Sequence, residues 1–171
     1  MHDGYLYTLG ICGSTAGNGP APQCLDLMLA ALPPVKRAAY LGEVLLDHAS
    51  PGFRDPLLAP LYVELADAEL LLIVTPLPGG QLPPRLQALA HVLCKTPLVS
   101  APRYAIFIGF ADHPPHALDA LRLALTLNNT TLLHERFAPT AANPVAIATE
   151  AIIWAQHAYA CARRHHPEAL P

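Results

Sequence analysis

Charge is what this chain has least of. Only 13% of its 171 residues are Asp, Glu, Lys or Arg, while 53% are hydrophobic, a balance that excludes a disordered chain. A net charge of −3 and a pI near 6.3 exclude a broad basic surface for nucleic acid. No apolar run approaches the roughly 20 residues that a membrane-spanning helix needs, so no membrane is expected as a partner. The first residues, Met1-His-Asp-Gly-Tyr5, lack a basic n-region and pass straight into strand-like sequence, so no signal peptide is expected. Cys12, Cys24, Cys94 and Cys161 show no CxxC spacing. In a chain of this length they read as reduced, mostly buried thiols of a cytoplasmic protein.

What is present is an alternation of strand-like and helical stretches. Residues 5–12 are β-rich and apolar, run into Gly13-Ser-Thr-Ala-Gly-Asn-Gly-Pro20, and lead to a helix at 23–32 that Pro33 and Pro34 stop. Pro20 suits the first position of that helix. A second strand is expected at 38–46 and a helix at 57–65, with Leu57, Leu58, Leu61, Val63 and Leu65 on its apolar side. Leu70-Leu-Leu-Ile-Val74 is an uninterrupted apolar run, the signature of a strand buried on both faces of a parallel sheet. Leu86, Leu89, Ala90, Val92 and Leu93 give the next helix. A strand at 104–110, a helix at 117–127 with Arg122 outward, and a strand at 130–137 follow. Asn143 is placed to cap the last helix, which starts at Pro144 and runs to about 164. Five strands alternating with five helices predict a single α/β domain over 1–171. Its parallel sheet carries helices on both faces, a three-layer sandwich of flavodoxin-like strand order 2-1-3-4-5.

Two loops carry the chemistry. Gly13, Gly17 and Gly19 permit a tight turn before a helix start, while Ser14, Thr15 and Asn18 supply donors, which is what a phosphate monoester needs. The second loop, Thr75-Pro-Leu-Pro-Gly-Gly-Gln-Leu-Pro-Pro-Arg-Leu86, follows the buried strand, and its Gly79 and Gly80 allow backbone to approach a ligand closely. With these residues the chain resembles the NADPH-dependent FMN reductase family. The family's first loop reads Gly-Ser-x-Arg-x-x-Ser, and Gly13 and Ser14 match it, with Ala16 at the Arg position and Gly19 at the second Ser. Thr15, Gly17 and Asn18 also resemble the flavodoxin phosphate loop. The family's second loop resembles Thr-Pro-x-Tyr-x-x-Ser-x-Pro-x-x-Leu-Lys, and Thr75, Pro76, Gly80, Pro83 and Leu86 match it without a gap. Pro78, Gln81 and Gln87 stand where Tyr, Ser and Lys are usual.

The resemblance implies an FMN cofactor and NAD(P)H as co-substrate, with hydride passing from the nicotinamide to the flavin and electrons onward. It assigns Ser14, Thr15, Gly17 and Asn18 to the phosphate and Thr75, Pro76, Gly79, Gly80 and Gln81 to the flavin ring, the last three through backbone N–H groups. It implies a homodimer or tetramer, with His91 facing a partner subunit or lying at the helix surface, and the apolar residues Val145, Ile147, Ile152, Ile153 and Trp154 available to core or interface. No acid–base residue is required. The departures at Ala16, Pro78, Gln81 and Gln87 leave a second reading open, a flavodoxin-like domain that has lost FMN and binds a partner. An electron-carrier flavodoxin is a third. Asp112 and His113 sit at the mouth of a third loop as ligand candidates. Cys12, close to a helix start, is either a buried small hydrophobe or a thiol of lowered pKa. His113 with His116, and His165 with His166, lack the company of a recognised zinc spacing. The latter pair reads as solvated.

Overall fold

A computed structural model describes residues 4–17, 19–42, 59–98, 101–116 and 118–167. The elements are β1 (Thr8–Cys12), α1 (Pro20–Ala30), β2 (Lys36–Tyr40), α2 (Ala59–Asp67), β3 (Leu70–Pro76) and a 3-10 turn (Pro78–Gly80). They continue with α3 (Pro84–Lys95), β4 (Arg103–Phe110), α4 (Asp119–Leu127), β5 (Thr130–Ala138) and α5 (Pro144–Arg163). The strands form one parallel sheet in the order β2-β1-β3-β4-β5, the expected flavodoxin-like topology.

Alternation along the central strands divides the core in two. Leu71, Ile73, Ala105 and Phe107 face α2, α3 and α4 through Leu61, Leu65, Leu86, Leu89, Leu121 and Leu125. Leu70, Leu72, Val74, Ile106, Ile108 and Phe110 face α1 and α5. Strands covered on both faces have no solvent side, so every residue of β1 is buried, as is all of β3 except Pro76. The core face of α5 is a stripe of alanines, Ala148, Ala151, Ala155, Ala158 and Ala162, that lets α1 lie close beside it.

Ion pairs stand at the two outer strands. Beside β2, Arg37 pairs with Glu64 of α2. Along β5, Glu135 holds Arg122 at 2.9 Å and Arg136 pairs with Glu150 of α5.

Several boundaries differ from expectation. β1 begins at Thr8, not Tyr5, because the N–H groups of Leu6 and Tyr7 donate to side chains, the Tyr159 hydroxyl at 3.2 Å and Glu69 Oε2 at 2.5 Å, and so are withheld from the ladder. β2 spans Lys36–Tyr40, earlier than the 38–46 expected, because its partner in register is β1 from Thr8 to Cys12. Residues 43–58, including Leu57 and Leu58, lie outside the described residues. α2, described over Ala59–Asp67, exposes Val63 at 66%, so Val63 is not on its apolar side. α1 starts at Pro20, α4 at Asp119 rather than 117, and β5 reaches Ala138. The cap of α5 is as expected: Asn143 Oδ1 accepts the Val145 N–H at 2.9 Å. Among the described residues no helix is long and apolar enough to cross a membrane.

Candidate functional site

β1 connects through α1 to β2 on one side, and β3 connects through α3 to β4 on the other. The carboxyl ends of β1 and β3 thus flank the switch in winding direction, where open α/β sheets form a ligand crevice. The two loops singled out by sequence both leave from this point.

Gly13 is where they meet. A Cβ there would lie 2.5 Å from Thr75 Oγ1 and 2.6 Å from Pro83 Cγ, so only glycine lets the first loop rest on the second. Ser14 is buried, and its carbonyl accepts the Gly42 N–H at 3.2 Å. Thr15 and Gly17 are exposed, and Asn18 lies outside the described residues. Thr75 is fully buried, with its hydroxyl donating to the Pro76 carbonyl at 3.1 Å. Pro76 is half-buried, Gly80 buried, and Gly79 and Gln81 exposed. The first and second loops therefore come together, as their family-like motifs require.

The donors are arranged differently from expectation. In the 3-10 turn the Gly80 N–H donates to Leu77 O at 2.9 Å and the Gln81 N–H to Pro78 O at 3.2 Å. Two of the three N–H groups assigned to a flavin ring thus serve the turn itself. The start of α1 is also poorer in donors than a usual anion site. Its first four residues are Pro20, Ala21, Pro22 and Gln23, so only two carry an N–H, and no side chain caps it. Cys12 has no lowered pKa. Burial pushes its thiol up to about 11, and that of Cys24 to about 12, so both are small hydrophobes of the core at neutral pH.

The third loop closes over the second. The His116 N–H donates to Gly80 O at 2.5 Å, and the Pro114 carbonyl occupies the space a Gly80 Cβ would need. Asp112 is bonded to the loop after β5. It accepts from the Thr140 hydroxyl and from the Thr140 N–H at 3.0 Å, and these bonds hold its carboxyl below the usual range. His113 and His91 are exposed at the surface. His165 is exposed but bonds the Tyr104 hydroxyl at 2.8 Å, so it is not merely solvated.

Sequence reasoning passed over Arg85. On the first turn of α3 it is only 7% exposed, and its guanidinium donates to Leu41 O at 2.7 Å, spanning from α3 to the end of β2. The available signal was spacing. Arg85, Leu89 and Val92 fall at i, i+4 and i+7, on the side that faces the core.

This rim fits a flavin nucleotide through its position at the switch point, the exposed hydroxyl of Thr15 and the open turn at Gly17. It departs from a conventional cradle in its inward-turned N–H groups and in lacking a cation between Gly13 and Gln23.

No protein-family model matches the sequence, and no curated protein matches it closely enough to count as a relative. Solved structures do match in shape. A flavone reductase superposes with a TM-score of 0.67 at 12% identity, over 92% of this chain and 63% of its own, so this chain spans less than two thirds of that protein. An NADH:FMN oxidoreductase gives 0.64 at 16% identity over 91% and 89%. A flavodoxin from Streptococcus pneumoniae gives 0.58 at 13% over 91% and 98%. At such identities the likeness speaks to architecture, and together with the strand order it identifies this chain as having the flavodoxin-like fold.

Proposed function

We propose that the protein is a flavin-dependent oxidoreductase similar to the NADPH-dependent FMN reductases, with FMN held at the rim of β1 and β3. The observation that carries this reading is the seating of Gly13 against Thr75 and Pro83, which joins the two family-like loops at the switch point. Support comes from the names of two structural neighbours, an NADH:FMN oxidoreductase and a flavodoxin. In this reading Ser14, Thr15, Gly17 and Asn18 hold the phosphate. Thr75, Pro76, Gly79, Gly80 and Gln81 form the wall against the ring, with contact through the surface of the turn rather than through the N–H groups of Gly80 and Gln81. The bound flavin supplies the hydride chemistry, with NAD(P)H as donor, and the chain supplies orientation and exclusion of water. The reading includes a cytoplasmic homodimer or tetramer, for which the exposed Val145 and Ile153 of α5 are contact candidates.

Titration of FMN with the purified protein, followed by flavin fluorescence and visible absorbance, tests the reading. Saturable quenching with a shifted visible band is expected, then FMN-dependent oxidation of NADH or NADPH. Absence of both at tens of micromolar protein would sink it. A second reading, a flavodoxin-like partner-binding module without FMN, is favoured by the sparse donors at α1 and the inward N–H groups of the turn. That same negative result is its expected outcome.

A further inference from the structure

We infer that a cavity at the amino ends of β3 and β4 binds a small free α-amino acid, its carboxylate meeting Arg103 and its ammonium meeting Asp67. The inference is independent of the flavin reading. The strands run in parallel away from this cavity, so it lies at the opposite edge of the sheet from the two loops at the switch point.

Arg103 carries the inference. It is 2% exposed, and its guanidinium has five N–H groups to place. Nε donates to Thr130 Oγ1 at 2.7 Å, and Nη1 donates to the carbonyls of Leu65 and Ala68. Nη2 is buried and has no partner. Fastening the end of α2 accounts for Nε and Nη1 and leaves Nη2 unexplained. The charge is unanswered as well. Burial lowers the Arg103 pKa to about 10, so the group is positive at neutral pH, and no carboxylate among the described residues acts to raise it again. Such a cation is costly to bury alone. A carboxylate reaching Nη2 supplies both the missing acceptor and the missing charge.

The place for that carboxylate is at hand. Arg103 lines a cavity of about 230 Å³ together with Asp67, Ala68, Glu69, Pro102 and His166. The Ala68 carbonyl, in the same wall, accepts from Nη1 at 3.4 Å, so the guanidinium end of the side chain borders the cavity. The volume is below the roughly 300–1,000 Å³ of sites for larger ligands, which suits an amino acid and is too small for a nucleotide. The other walls decide against a plain anion, which would be repelled by Asp67 and Glu69. An ammonium beside the carboxylate turns that repulsion into attraction. Asp67 is its partner because it is exposed, whereas Glu69 Oε2 already accepts the Tyr7 N–H. Asp67 and Arg103 thus line one cavity without pairing with each other, and a ligand carrying both charges bridges them.

Amide chemical shifts of the isotope-labelled full chain at neutral pH test this, with L-alanine, acetate and ethylammonium as probes at fixed ionic strength. Saturable shifts at Ala68, Glu69 and Arg103 are expected for L-alanine, with an affinity at least about tenfold above that of acetate or ethylammonium. Asp67→Asn, a change at an exposed side chain, should bring L-alanine down to the affinity of acetate. Arg103→Lys keeps a cation for the end of α2 but has no Nη2, and should weaken L-alanine and acetate alike by about tenfold. If Arg103→Lys does not fold, the wild type and Asp67→Asn decide. The inference is overturned by the absence of a saturable shift with L-alanine at tens of millimolar, or by shifts that leave these three amides untouched. Acetate binding as tightly as L-alanine, or either variant behaving as wild type, overturns it equally.

Discussion

Replacing Gly80 by alanine probes whether the third loop holds the second. Gly80 has φ +77°, a left-handed conformation costing an L-residue about 1–2 kcal/mol. An added Cβ would also lie 2.4 Å from the Pro114 carbonyl oxygen and 3.3 Å from the His116 ring. The first of these neighbours is backbone, so no rotamer change relieves it. Residues 114–116 must retreat, and the 2.5 Å bond from the His116 N–H to Gly80 O stretches or breaks, a loss of about 1 kcal/mol. The expected destabilisation for Gly80→Ala is therefore about 2–4 kcal/mol. Gly79→Ala is the matched control. It has φ +60° and nothing within 4 Å of an added Cβ, so only the conformational cost of about 1–2 kcal/mol applies. Urea unfolding followed by circular dichroism and by emission of Trp154, the sole tryptophan, measures both. Losses equal within error would refute the reasoning, because the left-handed backbone is common to the two positions and only the third loop distinguishes them.

Other expectations follow from the same coordinates. Cys94 and Cys161, which are half-buried, should react with a thiol reagent in the native protein at pH 8, and Cys12 and Cys24 only after unfolding; four fast thiols would contradict this. Since burial raises the Cys12 and Cys24 pKa values from 9.0 to about 11 and about 12, their stabilising effect is complete below pH 9 and is lost as pH climbs through those values. Unfolding free energy should accordingly decline above pH 9, less steeply in a Cys12→Ala/Cys24→Ala protein. His134 stacks on Trp154 with ring centroids 4.9 Å apart, and burial together with His157 holds its pKa below 6.5. Trp154 emission should fall on acidification with a midpoint below 6.5, and His134→Asn should abolish that step; an unaltered titration counts against the stack. Arg103, 2% exposed, donates to Thr130 Oγ1 at 2.7 Å and to the carbonyls of Leu65 and Ala68 at the end of α2. Arg103→Met leaves these acceptors buried and should cost about 2–4 kcal/mol, with α2 the first helix to lose amide-exchange protection. Unchanged protection of α2 would show that the helix end does not depend on it.

The elements legible in the sequence were those whose cause is local. The apolar run starting at Leu70 located β3, and the Asn143-Pro144 pair located the start of α5, because burial pattern and capping act within a few residues. The outer strand β2 was misplaced for the opposite reason. Lys36-Arg37-Ala-Ala-Tyr40 has little intrinsic strand character and is extended because β1 pairs with it. Residues 5–7 looked like strand, yet the N–H groups of Leu6 and Tyr7 are claimed by Tyr159 and Glu69, far along the chain. At the site, glycines and hydroxyls singled out the two loops, and the structure brings these loops together at Gly13. No spacing rule could say that Gly13 rests on Thr75 and Pro83, or that the glycine turn folds its N–H groups inward. Arg85 escaped because a charged residue at a helix start reads as solvated, and its burial depends on the reach across to Leu41.

The paired charges along β2 and β5 have a consequence beyond holding helices in place. The outermost strands of a sheet invite the addition of further strands, and a chain that is 53% hydrophobic has much to gain from growing into a fibre. Among the described residues one outermost strand carries Arg37 with Glu64, and the other carries Glu135 with Arg122 and Arg136 with Glu150. An incoming strand would have to strip water from these groups, or break their pairs, before gaining a single backbone bond. Scarce as charge is in this protein, paired ions stand as sentries at the two borders where unlimited polymerisation would begin.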